Sequence, residues 1–272
     1  MRLIHIVWLP ALLVACTDPP LPDRLDEPDV AISATCSGGL TEVSVAGTVV
    51  DRETGAPIAG ANVDITEAWA ASQSFPRAGC RLGKTTTDAA GRFGPIKVRP
   101  VSAGTIIAML VTGAGRAPTI SDRRVSCLFG SCTKVDETIQ APSEELAAYW
   151  RDELYMGGMP YALNRGLVAF TFLDSVNAPA SGVSVTRMYD DIIDSNRKPV
   201  VLGSEARFIA ADGRSLEDSD HRATSSSGAV LIGSDGGTQG YFRVGGDRPQ
   251  LHWPSVGVIV ATGWIYIETG DP

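Results

Sequence analysis

Between Glu42 and Asp51 the chain alternates with a period of two: Val43, Val45, Gly47 and Val49 fall on one side, Ser44, Ala46, Thr48 and Val50 on the other. A helix repeats every 3.6 residues and cannot collect such a set on one face, whereas a strand with one buried face does. The alternation runs into Asp51-Arg52-Glu53-Thr54-Gly55-Ala56-Pro57, a stretch of turn formers, and a second strand is expected at Ala61-Asn62-Val63-Asp64-Ile65-Thr66. The pair predicts a hairpin. Further strands are expected at 84–87, 92–98, 105–112 and 133–140, separated by turn-forming segments such as Asp88-Ala89-Ala90-Gly91. Short strands at this spacing predict a β-sandwich.

Three blocks of this region carry a family resemblance. They are Val45-Ala46-Gly47-Thr48-Val49-Val50-Asp51, Gly55-Ala56-Pro57-Ile58-Ala59-Gly60-Ala61-Asn62-Val63 and Thr87-Asp88-Ala89-Ala90-Gly91-Arg92-Phe93. In this order, over residues 43–112, they resemble the carboxypeptidase regulatory-like domain, a transthyretin-like sandwich. The chain departs from that pattern after the last strand, where the family has Gly-Tyr and Gly115-Arg116-Ala117 stands here. The resemblance implies a non-catalytic module and no peptidase activity.

The second half echoes the first. Phe170-Thr171-Phe172-Leu173-Asp174 parallels residues 48–51, and Ala178-Pro179-Ala180-Ser181-Gly182-Val183-Ser184-Val185 parallels residues 56–63. Ala223-Thr224-Ser225-Ser226-Ser227-Gly228 parallels residues 86–91. An internal repeat is therefore expected, with a longer insertion in the second copy and a closing strand over 256–268. Between the copies lies the clearest helix signal. Ser143 stands as N-cap, Glu144 and Glu145 at the positive end of the dipole, Leu146, Trp150 and Leu154 on one face, and Gly157-Gly158 as a stop. The expected fold class is all-β: two tandem Ig-like or transthyretin-like sandwiches, 36–141 and 165–272, joined by a short helical linker at 142–164.

The N-terminus points to where such a pair would work. Arg2, an apolar run over 3–14 and the small residue Ala15 precede Cys16, the order of a secretory signal peptide over 1–15. The run is about a dozen residues, against about twenty for a bilayer-spanning helix. Leu13-Val14-Ala15-Cys16 resembles the bacterial lipobox, which implies acylation of Cys16, palmitate included, and cleavage before it. Several acyl chains make a lasting anchor where one chain binds only marginally. By the enterobacterial sorting rule Thr17, rather than Asp, at the next position implies the outer membrane. Residues 16–35 combine the lipidated cysteine with Pro19, Pro20, Pro22 and Pro28 among five acids, a disordered tether able to reach roughly 50 Å.

The formal net charge is −8, and removing residues 1–15, which hold Arg2 and no acid, takes it to −9. That surface repels phosphate backbones, so nucleic acid is excluded as a partner. With Cys16 acylated, Cys36, Cys80, Cys127 and Cys132 form an even set in a compartment where disulfides persist. Three connectivities exist; Cys127–Cys132 with Cys36–Cys80 is favoured. The rival, structural zinc, fits poorly, because Cys-x4-Cys has no nearby His and the other two cysteines are distant.

Chemistry is sparse. The chain after residue 15 has His221 and His252 only, neither in a metallopeptidase or triad context, and there is no Gly-x-Ser-x-Gly elbow or phosphate-cradling loop. No enzyme activity and no cofactor are expected. Two candidate sites remain. Asp212, Glu217, Asp218 and Asp220 form a dense carboxylate cluster with the chemistry for Ca²⁺, or Asp220 with His221 for acid/base work, though the spacing departs from the EF-hand and a solvated loop is the simpler reading. Trp253, Trp264 and Tyr266, with Tyr241 and Phe242, are either core or a stacking surface for a glycan or peptide. The expectation is a membrane-anchored envelope lipoprotein with a structural or protein-interaction role and an envelope protein partner; glycan or peptide binding is the alternative.

Overall fold

The computed structural model describes residues 42–68, 81–99, 106–125, 127–128, 131–132, 134–154, 166–189, 200–201, 206–218, 221–233, 240–260, 263–270 and 272. The expected signal peptide and tether, with Cys16, Cys36, Cys80, Gly157-Gly158 and Asp220, lie outside them. No helix among them is long and apolar enough to cross a membrane.

The described residues are all-β with one short helix. Its first half holds β1 (Val43–Asp51), β2 (Asn62–Ala68), β3 (Arg81–Thr86), β4 (Arg92–Val98), β5 (Ile106–Gly113), β6 (Arg116–Arg124), the two-residue β7 (Cys127–Leu128) and β8 (Ser131–Cys132), and β9 (Val135–Ala141). After α1 (Glu144–Leu154) come β10 (Leu167–Phe172), β11 (Ser184–Tyr189), β12 (Val200–Val201), β13 (Ala206–Phe208), β14 (Ala229–Gly233), β15 (Gly240–Arg248), β16 (Leu251–Val260) and β17 (Ile265–Gly270).

Alternation in β1 becomes strict alternation of burial, with Val43, Val45 and Val49 in the core. They pack, with Phe93 and Ile139, against Val63, Ile65, Ile107, Met109 and Val111 of the facing sheet. The sheet β4-β1-β9 thus covers β3-β2-β5-β6. β1 and β2 therefore form no hairpin: they sit in different sheets. After Asp51 the chain doubles back so that Pro57 bridges Val50 and the Ile58 amide donates to the Val49 carbonyl at 3.0 Å. That buries Ile58 and sends β2 across the sandwich.

The strand pairing of the first half recurs in the second. β1 pairs antiparallel with β4 and parallel with β9, and β10 does the same with β14 and β17. β2 lies between β3 and β5 as β11 lies between β12 and β15, and β15 continues into β16 as β5 into β6. The connections repeat atom for atom. The buried Thr87 hydroxyl donates to the Ile58 carbonyl at 2.7 Å and accepts from the Ala61 amide at 2.9 Å. Thr224 donates to Ala180 at 2.7 Å and accepts from Val183 at 3.0 Å. Gly91 and Gly228 follow at φ of 70° and 64°, with carbonyls that accept from Val49 and Phe172. A Cβ on Gly91 would meet the Val49 oxygen at 2.5 Å, and one on Gly228 the Ala180 nitrogen at 2.7 Å, so both the dihedral and the space require glycine.

The two halves share a sheet. β17 pairs in parallel with β6, producing one eight-stranded sheet in the order β13-β14-β10-β17-β6-β5-β2-β3. The run Ile106 to Val111 is apolar throughout because β5 is buried on both faces. Ile107, Met109 and Val111 enter the first core, and Ala108 and Leu110 join Ile120 in the second. That second core lies between Val168, Phe170, Phe172 and Val230 on one side and Val185, Val244 and Trp253 on the other.

The helix starts where expected, the Leu146 amide donating to the Ser143 hydroxyl at 3.0 Å. Leu146, Trp150 and Leu154 cover the outer face of the long sheet at Leu231, Ile265 and Ile267, together with Ala117 of the first half. The single closing strand expected over 256–268 is instead two, β16 and β17, interrupted by a turn at Gly263. A continuous apolar run cannot distinguish one long buried strand from two that share a core.

Candidate functional site

The aromatic candidates are core. Trp253 is fully buried, its indole N–H donates to the Leu173 carbonyl at 2.7 Å, and its ring meets the edge of Phe172 with centroids 5.8 Å apart. Trp264 and Tyr266 are 3% and 1% exposed, which removes all three as a stacking surface. Each is amphipathic, and a buried Trp or Tyr with a partner for its polar tip is as stable a solution as a displayed one. Tyr241 and Phe242 lie on β15.

Asp212, Glu217 and Asp218 do not converge. The Asp212 carboxylate accepts from the Arg214 and Ser215 amides at 2.9 and 2.8 Å and from the Ser215 hydroxyl at 2.6 Å. That hydroxyl, then those amides, hold its pKa below the ordinary value. Glu217 faces His221 at 3.8 Å, and the His221 amide donates to the Asp218 carbonyl. The cluster is a loop closing on itself, and among the described residues no three metal-ligating side chains come together. His252 is exposed and lies 2.6 Å from Asp247 at the β15–β16 turn. In the β7–β8 hairpin Cys127 stands opposite Cys132.

A shallow groove of about 480 Å³ opens over β1, β3 and β4, lined by Thr48, Thr85, Thr86, Asp88, Arg92 and Asp136. Its central charges satisfy each other. Arg92 donates to Asp88 at 3.1 Å, and the Arg92 amide, with Ala90's, holds the Asp88 carboxylate below its ordinary pKa.

The dense polar chemistry lies instead where the halves join. One junction surrounds α1. Arg214 donates to Glu53 of the β1–β2 turn at 3.1 Å and to Glu145 of the helix at 2.8 Å, while its carbonyl accepts from the Trp150 indole at 2.8 Å. Arg52 lies 5.4 Å from the Trp150 ring centroid. One arginine thus ties a turn of the first half, the helix and a loop of the second.

The other junction is the β6–β17 seam. Register pairs Ile265 with Thr119 and Tyr266 with Ile120. Just beyond, Arg123 donates to Glu268 of β17 at 2.6 Å and to both oxygens of Glu137 of β9 at 2.7 and 2.9 Å. The Tyr266 hydroxyl donates to Glu268 at 3.3 Å, and Asp122 is a further partner of that hydroxyl. Burial is the largest influence on the three carboxyls and raises the pKa of Glu268, Asp122 and Glu137, Asp122 adding to the rise at Glu268. Burial would lower Arg123, but Glu268 and Glu137 outweigh it and hold the guanidinium charged. Burial, then Asp122 and Glu268, raise Tyr266 well above its ordinary value.

Sequence reasoning passed over this cluster. The one signal was Glu268 itself, which shares strand parity with Trp264 and Tyr266 and so places a carboxylate on the face that buries them.

No protein-family model matches the chain, and no curated protein matches it. Among solved structures, the Bacillus anthracis TIE protein is similar over 84% of this chain at 13% identity with a TM-score of 0.27, and this chain spans 33% of that one. The shaft pilin SpaA of Lactobacillus rhamnosus GG, as its D295N mutant, is similar over 85% of this chain and 98% of its own at 13% identity, TM-score 0.29. A 3-chlorocatechol 1,2-dioxygenase from Rhodococcus opacus 1CP is similar over 40% of this chain and 63% of its own at 15% identity, TM-score 0.27.

Proposed function

We propose that the chain is a lipid-anchored protein of the bacterial cell envelope whose joined sandwiches act as a non-catalytic structural or protein-interaction body. The signal peptide is removed before Cys16, acyl chains on that cysteine hold the protein at the outer membrane, and the tether displays the sandwiches to an envelope protein partner. The order Arg2, apolar run, Ala15, Cys16 supports the anchor. The register of Cys127 against Cys132, with Cys132 in a disulfide, supports a Cys127–Cys132 bridge and an oxidising compartment. Cys36 and Cys80 complete the proposed set. The recurring pairing scheme supports descent of both halves from one carboxypeptidase regulatory-like module.

The observation that carries the non-catalytic role is how the polar side chains are used. Thr87, Thr224, Asp51, Asp174 and Asp212 bond to nearby backbone groups, and Arg123 and Arg214 hold the halves together.

Metabolic labelling of the host with a clickable fatty acid, followed by membrane fractionation, tests the anchor. The expected result is a labelled, membrane-bound protein, and a Cys16→Ser variant that is unlabelled and leaves the membrane. Equal labelling and membrane association of the two would overturn the reading.

A further inference from the structure

The seam at β6 and β17 has a geometry that a simple strand pair lacks. The parallel register holds for two pairs, ending at Tyr266 and Ile120. The next positions on that same face, two residues along each strand, are Asp122 and Glu268, and residues at matched positions on neighbouring strands stand side by side. Two carboxyl groups therefore occupy adjacent places where the strand pairing stops. The Tyr266 hydroxyl contacts both of them. Asp122 retains partial exposure at the margin, and Glu268 is 5% exposed.

The charged groups around them do not balance. From β6 come Asp122, Arg123 and Arg124, from β9 Glu137 with Asp136 beside it, and from β17 Tyr266 and Glu268. The strands on either side contribute apolar neighbours, Ala108 of β5 opposite Asp122 and Phe170 of β10 opposite Glu268. Arg123 is the cation bonded within the cluster and is already shared between Glu137 and Glu268. Arg124 is exposed at the edge. With all three of Asp122, Glu137 and Glu268 ionised, the seam would hold two uncompensated negative charges among apolar side chains. Adjacent carboxylates in a desolvated site do not both ionise; they keep a proton between them.

We infer that the joint between the halves is a proton-binding site: Asp122 and Glu268 share one proton through their common contact with Tyr266, and losing it loosens β17 from β6. The proton acts as the ligand of the joint. While it is bound, the carboxyl pair carries one negative charge and Arg123 bridges β6, β9 and β17. When it leaves, like charges oppose each other at the point where the strands already part, and the short register pairing beside them is the element that opens. Because that pairing connects the two sandwiches, the site makes their attachment responsive to the pH of the compartment. Coupled titration assigns the proton to the pair and not to either residue alone.

Hydrogen exchange of the full chain in detergent micelles tests this, read as the protection of residues 264–270 after correction for intrinsic exchange rates. Protection there is expected to fall by about tenfold or more from about pH 5.5 to about pH 9, the size a one-unit pKa change corresponds to, while β1 and β4 of the first core keep theirs. In Glu268→Gln, which keeps the shape and one acceptor oxygen for Arg123 but has no proton to lose, the fall is expected to vanish. Asp122→Asn gives the same reading if Glu268→Gln does not fold. An equal fall in the variants and the wild type, a uniform fall across all strands, or no fall in the wild type would overturn the inference.

Discussion

Thr87 and Thr224 each satisfy a buried carbonyl and a buried amide in the crossing that sends the chain from one sheet to the other. Replacement by valine keeps the volume and strands both backbone groups, each at about 1–3 kcal/mol. Thr87→Val and Thr224→Val are therefore expected to lower unfolding free energy by about 2–4 kcal/mol each in urea titrations. A loss below about 0.5 kcal/mol, the ordinary scale of a surface change, would deny these hydroxyls that role. Asp88, Asp174 and Asp212 work differently, accepting from amides of their own turns and, at Asp212, first from the Ser215 hydroxyl, which holds their pKa values below the ordinary range. A carboxylate with a depressed folded pKa contributes stability that is present above its unfolded value of about 3.9 and is lost as pH falls through the folded one. These turns, together with Asp51, contribute to the acid limb of the stability curve. An Asp174→Asn variant, which cannot titrate, is expected to show a shallower decline below about pH 4 in thermal unfolding.

Among the elements, α1 was legible at both its cap and its buried face, because capping and 3.6-residue periodicity are local properties of a sequence. Ser143→Ala is expected to cost about 1 kcal/mol, the usual value of an N-cap, checked by the urea midpoint. It also removes the bond from Ser143 to Glu53 at 2.7 Å. β1 and β4 were legible for a similar reason, since alternation and bounding turns announce a half-buried strand. β6 was not. Pro118 interrupts it, its register shifts against β5, and Thr119 and Ser121 are buried polar residues, so no alternation of apolar and polar survives. β5 beside it is adjacent in the chain, but its other partner, β17, is nearly 150 residues away in sequence, as the Arg123–Glu268 bond shows. A strand whose identity depends on such a distant neighbour leaves little trace in its own composition. The β1–β2 crossing was hidden differently: turn residues mark that the chain reverses, not which sheet receives it. Trp253, Trp264 and Tyr266 illustrate the same limit at a site, because identity and parity do not say whether a face meets solvent or a second sheet.

For the whole molecule, the consequence of the seam is that the two halves are joined through both a shared sheet and a shared core, with Ile120 and Leu110 of the first half packed against the second. Ile120→Ala is expected to cost about 2–5 kcal/mol and to lower the cooperativity between the halves, read as two separated transitions where the wild type gives one. The charges at the seam set the alkaline limb. Glu268 has a folded pKa raised first by burial and then by Asp122, so the folded protein binds more protons than the unfolded chain. Stability from this group is full below the ordinary Glu value of about 4.3 and is lost as pH rises through the raised one. Together with the aspartate turns this places the maximum of stability in mild acid, and Glu268→Gln is expected to flatten the alkaline side alone.

In the proposed function an anchored, joined pair of sandwiches serves an envelope partner. Cross-linking of the tagged protein in living cells of its host, followed by mass spectrometry of what co-purifies, addresses it most directly. The expected result is one recurrent envelope protein, captured by the wild type and lost with Cys16→Ser. Recovery of no protein partner, with the chain anchored and folded, would contradict it.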